Sequence, residues 1–396
     1  MYYTCSLFFK TRAKTKKNRK NPNYLHVCKI FRNFAGKLDK CGIMKKKIAI
    51  IAGGDSSEYG VSLRSAAGIY SFMDKERYAL TIVCIRGKEW KAQVSEDTWV
   101  DIDKNDFSFT YNGEKTQFDF AYITIHGTPG ENGVLQGYLD MIGLPYSCCG
   151  VLAAALTFNK YTCNHYLKGF GIRVAESILL RREAKGERQE VKGERQEARG
   201  ERQEAGDIVA KVGLPCFIKT NVGGSSFGVT KVKHVEDVAA AIDKAFAEGD
   251  EVICEAFMDG IEITCGAYKT KDKSVAFPIT EVVTSNEFFD YDAKYNGQVD
   301  EITPARIPDE VRDAVQAMTL KIYDILGCKG IIRVDYILTK KPISSLQESE
   351  HGEWDINLLE VNTTPGMTAT SFIPQQVRAA GLDIKDVLTD IIEDQL

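Results

Sequence analysis

The stretch Ile48-Ala-Ile-Ile-Ala52, followed by Gly53-Gly-Asp-Ser-Ser57, indicates the fold class. Its first five residues are a short apolar run, which predicts a buried strand, and the glycines and polar residues after it predict a turn. Residues 61–72 then predict a helix, and Tyr78–Ile85 and Phe118–Ile125 predict two more strands. Strands that alternate with helices indicate an α/β domain with a doubly wound parallel sheet.

The rest of the chain repeats this mixture of strands and helices. Residues 144–147 close the first domain, and Val151–Tyr166 predicts one continuous helix. A polar hairpin connection is predicted at Lys340–Gly352. The remaining predicted strands are Pro215–Lys219, Glu251–Phe257, Cys265–Lys269, Ile331–Leu338 and Ile356–Val361, and the remaining predicted helices are Val235–Glu248, Asp309–Leu326 and Gln375–Ala380.

Residues 181–206 differ in composition from the rest of the chain. Gly186, Gly193 and Gly200 each begin the sequence Gly-Glu-Arg-Gln-Glu, so the segment repeats with a period of seven. A coiled coil needs two apolar positions in each heptad, and only Val191 and a few alanines are available. Each glycine also costs about 1 kcal/mol inside a helix. We interpret the segment as a solvated, low-complexity insertion without a catalytic role.

The first 44 residues are strongly basic. They hold eleven Lys or Arg against one acid, so the net charge of −4 combines +10 here with −14 in residues 45–396. The segment is compatible with a basic arm, with a targeting segment, or with a true start at Met44. A secretory signal fits poorly, because no apolar core follows the charges. We expect residues 1–44 to lie outside the fold.

Composition also limits the classes of partner. An acidic body argues against a broad nucleic-acid surface, which needs clustered cations. No apolar stretch approaches the ~18 residues that a membrane helix needs, so no membrane partner is expected. The eleven cysteines show no disulfide framework and no paired CxxC motifs at zinc spacing. Reduced thiols in a cytoplasmic protein are therefore expected.

A glycine-rich loop lies at Asn221-Val-Gly-Gly-Ser-Ser-Phe-Gly228. Its backbone N–H groups can approach phosphate oxygens, and Lys219 on the preceding strand can supply a cation. The loop is not a P-loop, because no Gly-Lys-Ser/Thr follows the glycines. Taken alone, the same composition is also typical of an ordinary turn.

Polar side chains also occur on two neighbouring predicted strands. Arg333 and Asp335 alternate on one strand and Glu360 and Asn362 on the other, so each pair points to one face. Because the strands flank a hairpin, the four side chains are expected to converge. Two carboxylates and an amide oxygen suit Mg²⁺, which also takes substrate phosphates as ligands. Solvated positions on an exposed sheet face are the alternative.

Together these stretches resemble the D-alanine–D-alanine ligases of the ATP-grasp superfamily. Each motif alone is weak, but the set follows the family order across residues 45–380, interrupted chiefly by 181–206. The matching stretches are Ala52-Gly-Gly-Asp-Ser-Ser-Glu58, His126-Gly127, Glu131-Asn-Gly133, Asn159-Lys160, Ile218-Lys219, Gly224-Ser-Ser-Phe-Gly228, Glu255 through Glu262, Tyr291-Asp-Ala-Lys-Tyr295, Arg333-Val-Asp335 and Leu359-Glu-Val-Asn-Thr-Thr-Pro-Gly-Met367.

The resemblance implies an organisation in three parts. The expected parts are an N-terminal substrate-binding α/β domain at 45–159, a central ATP-grasp subdomain at 160–258 that contains the insertion, and a C-terminal ATP-grasp subdomain at 259–396. The two ATP-grasp subdomains are expected to have mixed or antiparallel sheets. The C-terminal one is expected to carry the catalytic and metal residues.

The resemblance also implies a nucleotide site. Two Mg²⁺ ions, with Mn²⁺ as an alternative, would be held by Asp335, Glu360 and Asn362. Phe257 and Met258 would pack on the base, although ordinary core positions are the alternative for both. The residues implied to contact ATP are Lys160, Lys219, Ser226, Glu255, Phe257, Met258, Glu262 and, on the loop 286–298 that resembles a closing lid, Lys294.

For the amino acids, the resemblance implies that Glu58 holds the ammonium group of the first substrate, with Ser225 and Tyr295 as its hydrogen-bonded partners. His126 would lie beside the first substrate, with a purely structural role as the alternative. Arg333 would stabilise the transferring phosphoryl group. Gly366 and Ser371 would lie near the second substrate.

The implied reaction is ATP-dependent joining of two D-alanines through a D-alanyl phosphate, for peptidoglycan precursors in the bacterial cytoplasm. The partners implied are small molecules and a second copy of the chain. Three alternatives remain open: a D-alanine–D-lactate ligase, against which Tyr295 argues; another ATP-grasp ligase that joins a carboxylate to an amine; and a catalytically silent nucleotide-binding protein.

Overall fold

The computed structural model describes residues 45–182, 205–223, 229–284, 299–341 and 353–396. The extension 1–44, nearly all of the insertion 181–206 and most of the connection Lys340–Gly352 therefore lie outside the described residues. Among those described, no helix combines the length and the apolar character needed to cross a membrane.

The N-terminal part of the fold is a seven-stranded sheet with two helices. Its elements are β1 (Lys46–Gly53), α1 (Tyr59–Phe72), β2 (Tyr78–Arg86), β3 (Glu89–Ser95), β4 (Thr98–Asp103), β5 (Ser108–Tyr111), β6 (Glu114–Thr116), β7 (Phe120–Ile123) and α2 (Val134–Ile142). The predicted strand, turn and helix at the start are confirmed. Because β1 lies between β2 and β7, its residues 48–52 are fully buried.

Strands β3 to β6 have no counterpart among the sequence predictions. They extend β2 as an antiparallel meander, whereas β1 and β7 are parallel. The α/β class is confirmed, but this sheet is mixed rather than parallel throughout. The meander does carry a readable signal: Asn112 and Gly113 join β5 to β6 with φ of 50° and 79°. Two positive φ values in a two-residue loop are typical of a type I′ hairpin.

The helix predicted at Val151–Tyr166 is broken in two. The structure has α3 (Val151–Phe158) and α4 (Lys160–Lys168), separated by Asn159 in an extended conformation. The Asn159 side chain accepts a hydrogen bond from the backbone N–H of Thr162 at 2.9 Å, which caps α4. The break makes Lys160 the first residue of a new helix.

A four-stranded antiparallel sheet follows. Its elements are β8 (Ser177–Arg181), β9 (Cys216–Thr220), β10 (Thr230–Val232), α5 (Val238–Glu248) and β11 (Glu251–Ala256), with the strand order β10-β9-β11-β8. The strands predicted at 215–219 and 251–257 are confirmed within one residue at each end. Residues 235–237 of the predicted helix form a separate 3-10 turn.

The last sheet and its helices complete the fold. They are β12 (Ile261–Lys269), β13 (Ser274–Ala276), β14 (Thr280–Thr284), β15 (Val299–Ile302), α6 (Asp309–Leu326), β16 (Ile331–Lys340), β17 (Trp354–Asn362), α7 (Phe372–Ala379) and α8 (Ile384–Gln395). Helix α6 has the predicted bounds, because Asp309 and Glu310 suit its first turn and Gly327 ends it at φ 61°. Strands β16 and β17 pair as a hairpin requires.

Candidate functional site

The turn after β1 brings Glu58 next to His126. Ser56 Oγ donates to the His126 carbonyl oxygen at 2.8 Å and accepts from the Glu58 backbone N–H at 3.2 Å. The turn depends on Gly53, which has a φ of 105° and whose Cβ would collide with the Ile85 carbonyl oxygen. The predicted motif at 52–58 therefore joins two segments of chain that are 70 residues apart.

A half-buried acid lies beside these two residues. Glu131 Oε2 accepts a hydrogen bond from the Gly127 backbone N–H at 2.7 Å. Burial, followed by the nearby charge of Glu58, raises the pKa of Glu131 to about 7. His126 is 7% exposed, and its Nε2 lies 3.4 Å from Ser65 Oγ. The position of His126 is compatible with a role beside the first substrate and with a purely structural role.

The segment after β17 is packed against α1. A Cβ at Gly68 of α1 would collide with the Met367 carbonyl oxygen, so this glycine allows close approach. Ser371 is the N-cap residue of α7, and its Oγ lies 2.7 Å from Thr368 Oγ1. A Cβ at Gly366 would lie 3.0 Å from the same Oγ, so Gly366 and Ser371 are close to each other.

Strands β16 and β17 carry the predicted polar cluster. Asp335 is paired with Glu360 and Arg333 with Asn362 in the sheet register. Arg333 Nε and Nη2 donate to the two carboxylate oxygens of Asp335 at 2.9 and 2.8 Å. Asn362 Nδ2 donates to Asp335 Oδ2 at 3.1 Å. The predicted convergence is confirmed, and the alternative of solvated positions is wrong for Arg333 and Asp335, which are 9% and 6% exposed.

Arg333 remains a cation in this cluster. Burial opposes its charge, but Asp335 and Glu360 outweigh that effect and raise its pKa above the ordinary range. The guanidinium carbon also lies 5.3 Å from the ring centroid of Phe372.

A cavity of about 490 Å³ opens between α1 and the start of α7, and we call it the α1-side cavity. Five of its lining residues have predicted substrate or catalytic roles, and Glu360 is a predicted metal ligand; the five are Glu58, His126, Arg333, Gly366 and Ser371. Its polar lining is typical of a site for small charged molecules.

A second cavity, of about 570 Å³, lies beside β11, and we call it the β11-side cavity. Lys219 Nζ lies 2.5 Å from Glu255 Oε2 between neighbouring strands of this cavity. Burial opposes the charge on Lys219, but Glu255 raises its pKa above the ordinary value. Phe257 and Met258 are half-buried and line the cavity rather than the core, together with Glu262.

The two cavities share one wall. The residues common to both linings are Lys160, Gly223, Arg333, Glu360 and Phe372. Lys160 Nζ donates to the Gly223 carbonyl oxygen at 2.5 Å and lies 3.9 Å from Glu360 Oε2. Burial, ahead of the attraction of Glu360, lowers the pKa of Lys160. A group transferred from one cavity to the other would therefore pass two cations.

The donor set for a metal is two carboxylates and one amide. Among the described residues no group of three or more His, Cys, Asp or Glu converges as a metal site. Asp335 and Glu360 face each other across the strands, and Asn362 contacts Asp335. Such a set fits Mg²⁺, which completes its octahedron with water and phosphate oxygens.

Four predicted site residues lie outside the described residues: Ser225, Ser226, Lys294 and Tyr295. Conversely, some residues line the cavities without a predicted role. Glu131 belongs to one of the stretches that resemble the family, and Arg64 lies on α1 close in sequence to Glu58, so both had a signal in the sequence. Lys231, with Nζ 3.9 Å from the Phe257 ring centroid, had none, because strand pairing brings it there.

Comparison with known proteins gives consistent results. A family model described as D-ala D-ala ligase N-terminus matches residues 47–149, and one described as D-ala D-ala ligase C-terminus matches residues 167–393. Curated D-alanine–D-alanine ligases of Bacteroides fragilis and Porphyromonas gingivalis are 64% and 53% identical, each over 89% of this chain and over 100% and 99% of their own lengths. The crystal structure of VanG D-Ala:D-Ser ligase from Enterococcus faecalis is 29% identical with a TM-score of 0.73, over 89% of this chain and 100% of that chain.

Proposed function

The chain belongs to the D-alanine–D-alanine ligase family, and we propose that it joins two D-alanines into D-alanyl-D-alanine, with ATP as co-substrate, for peptidoglycan precursor synthesis. The observation that carries this proposal is the pair of adjoining cavities, whose shared wall holds Lys160 and Arg333. The α1-side cavity would take the amino acids and the β11-side cavity the nucleotide.

The first step is activation of a carboxylate. A carboxylate is a poor electrophile, so its oxygen takes the terminal phosphoryl group of ATP, ADP leaves, and an acyl phosphate forms. This transfer requires positioning and charge neutralisation rather than a protein nucleophile. Lys160 and Arg333 stand at the shared wall for that purpose, with Lys219 deeper in the β11-side cavity.

The nucleotide would be held by residues of the β11-side cavity. Glu255 and Glu262 would contact the adenine and the ribose, and Phe257 and Met258 would pack on the base. Lys219 would pass from its ion pair with Glu255 to a phosphate, with Ser226 and Lys294 as further phosphate contacts.

Asp335, Glu360 and Asn362 would hold two Mg²⁺ ions, with Mn²⁺ as an alternative. When bound, the metal neutralises charge on the nucleotide phosphates. Arg333 donates to both carboxylate oxygens of the buried Asp335 and would stabilise charge on the transferred phosphoryl group.

The second step joins the two amino acids. Glu58 would bind the ammonium of the first D-alanine, with His126 beside it and Ser225 and Tyr295 as partners. The ammonium of the second D-alanine, seated near Ser371, first loses one proton to solvent, and the free amine then attacks the acyl carbon. The second proton of the nitrogen leaves with inorganic phosphate. Arg333 and the Gly366 backbone N–H would stabilise the oxyanion of the tetrahedral intermediate until inorganic phosphate leaves and the peptide bond forms.

Domain boundaries after residues 159 and 258, a cytoplasmic location in a bacterium and a homodimer belong to the same proposal. Support for the boundaries comes from the three separate sheets. Sedimentation of the purified chain would test the homodimer.

The proposal is tested by ADP release from Mg²⁺ and ATP with D-alanine, L-alanine, or D-alanine plus D-lactate, with the products weighed by mass spectrometry. We expect ADP and D-alanyl-D-alanine with D-alanine alone, no turnover with L-alanine, and loss of activity on chelation of the metal. A folded chain that binds ATP but releases no ADP with D-alanine would overturn the proposal.

A further inference from the structure

Glu301 lines the α1-side cavity from a different wall than Glu58 does. It lies on β15, whereas Glu58 lies just before α1. The Gln375 side-chain amide donates to a Glu301 carboxylate oxygen and also to the Thr370 carbonyl oxygen, the latter at 2.7 Å. The carboxylate is thereby tied to the turn that ends at Ser371.

One acid of the cavity lining, Glu301, is tied to the turn at Ser371 through the side chain of Gln375. Of the four acids in that lining, Glu360 lies near Lys160, Glu131 accepts from the Gly127 backbone N–H, and Glu58 precedes α1. The fourth, Glu301, is in the electrostatic field of Arg333 and is held by Gln375.

Both amino acids carry an ammonium group when they enter, because an α-amino group is protonated at neutral pH. In the proposed function Glu58 binds the ammonium group of the first D-alanine. The second must approach the same cavity while Arg333 repels it from the shared wall. An acid on the Ser371 side would offset that repulsion.

The electrostatics of Glu301 favour the binding of a cation next to its carboxylate. Glu301 is exposed as a whole residue, but partial burial of its carboxylate raises its pKa, and the hydrogen bond from Gln375 and the charge of Arg333 only partly oppose this effect. The ionised form therefore lacks full solvation, and a bound cation would stabilise it.

We propose that Glu301 binds the ammonium group of the second amino acid beside Ser371, and so favours an amine over a hydroxy acid at that position. This inference rests on the proposed function and adds a specificity-determining residue to it. A hydroxy acid such as D-lactate has no ammonium and gains nothing from Glu301.

The matched pair of variants is Glu301→Gln and Asp300→Asn. Both residues are exposed acids on β15, but successive side chains of a strand point to opposite faces, and Asp300 lines neither cavity. Each variant removes one negative charge at nearly constant volume. Because Glu301 is partly solvated, we expect an effect of about three- to tenfold, weaker at high salt.

The readouts are the Michaelis constants for ATP and for the second D-alanine, and the ratio of D-alanyl-D-lactate to D-alanyl-D-alanine from a fixed mixture. We expect Glu301→Gln to raise the second D-alanine constant, leave the ATP constant unchanged and raise the ratio. Asp300→Asn should leave all three unchanged.

A Glu301→Gln enzyme whose Michaelis constant for the second D-alanine equals that of wild type would overturn the inference, whether or not D-alanyl-D-lactate forms. So would equal losses with D-alanine and D-lactate, because a structural role would affect both. A wild-type chain that makes no D-alanyl-D-alanine would overturn the proposed function itself, and the two failures are therefore distinguishable.

Discussion

The two cavities hold their charged groups in different ways. In the β11-side cavity cations and acids are already paired: Lys219 with Glu255 across neighbouring strands at 2.5 Å, and Arg333 with Asp335 along one strand at 2.8 Å. In the α1-side cavity Glu58 and Glu131 come from loops and Lys160 from a helix start, and Glu131 is held by a backbone N–H.

This difference matches what each cavity would bind. A cation that is already paired with an acid stays charged when buried, and it has a counterion both before and after it exchanges that acid for a phosphate. Acids that crowd one another gain most from an incoming cation. The β11-side cavity is thus prepared for an anion and the α1-side cavity for an ammonium group.

Arg333 should give the largest effect, because it lines both cavities. We expect Arg333→Ala to lower kcat by about a thousandfold, a loss typical of removing a preorganised group that stabilises transition-state charge. The variant also leaves Asp335 without its cation, so unfolding should be measured alongside.

Arg333→Lys is the control, since it restores the charge but not the paired hydrogen bonds to Asp335. It should recover stability more than kcat. If Arg333→Ala stays folded and keeps kcat within tenfold of wild type, the role of the shared wall is wrong.

Glu58 should affect the α1-side cavity alone. We expect Glu58→Gln to raise the Michaelis constant for the first D-alanine by about a hundredfold, because a charge-assisted bond to an ammonium is lost. The constant for ATP should not change. Glu89→Gln, an exposed acid on β3 outside both cavities, is the matched control. Equal changes in the Michaelis constants for the first D-alanine and for ATP would contradict the assignment of these two substrates to separate cavities.

The sequence was sufficient where local patterns decide structure. Helix α6 has the predicted bounds because its first-turn acids and its terminal glycine are local signals. The cluster of Arg333, Asp335 and Glu360 was predictable because two strands that flank a hairpin connection pair with each other.

Other features depend on contacts between distant segments. Whether Asn159 continues a helix or caps a new one depends on Asn221, whose carbonyl oxygen accepts from the Lys160 backbone N–H at 3.2 Å. Glu301 lines the α1-side cavity because β15 pairs with β14, and no local sequence pattern predicts this pairing. Local sequence signals were therefore enough to predict the motifs. The residues that form the cavity walls could be identified only from the tertiary structure.

Lys219 should give a smaller effect, restricted to the β11-side cavity. We expect Lys219→Met to raise the Michaelis constant for ATP by about tenfold, since Lys160 still faces the phosphates. The constants for D-alanine should remain at wild-type values. The control is Lys244→Met, an exposed lysine on α5. A D-alanine constant that rises as much as that for ATP would contradict separate cavities.

The smallest effect concerns Glu131 and is measured as stability rather than rate. Its pKa is raised to about 7 from an ordinary value near 4.5, so the fold favours its protonated form. This contribution is complete below the ordinary pKa and is lost as pH rises through the raised value. We expect the free energy of unfolding to fall by about 1 kcal/mol more in wild type than in Glu131→Gln between pH 5 and pH 8, a figure reduced for solvent screening.

Chemical unfolding at several pH values, with and without D-alanine, would show whether Glu131 senses the substrate. The charge of Glu58 is one cause of the raised pKa, after burial. An ammonium bound at Glu58 would cancel that charge, so D-alanine should reduce the difference in slope between wild type and Glu131→Gln. Parallel curves for the two proteins would mean that Glu131 does not titrate as expected. A slope difference that D-alanine leaves unchanged would place the first ammonium away from Glu58, and the α1-side cavity would then lose the feature that distinguishes it from the β11-side cavity.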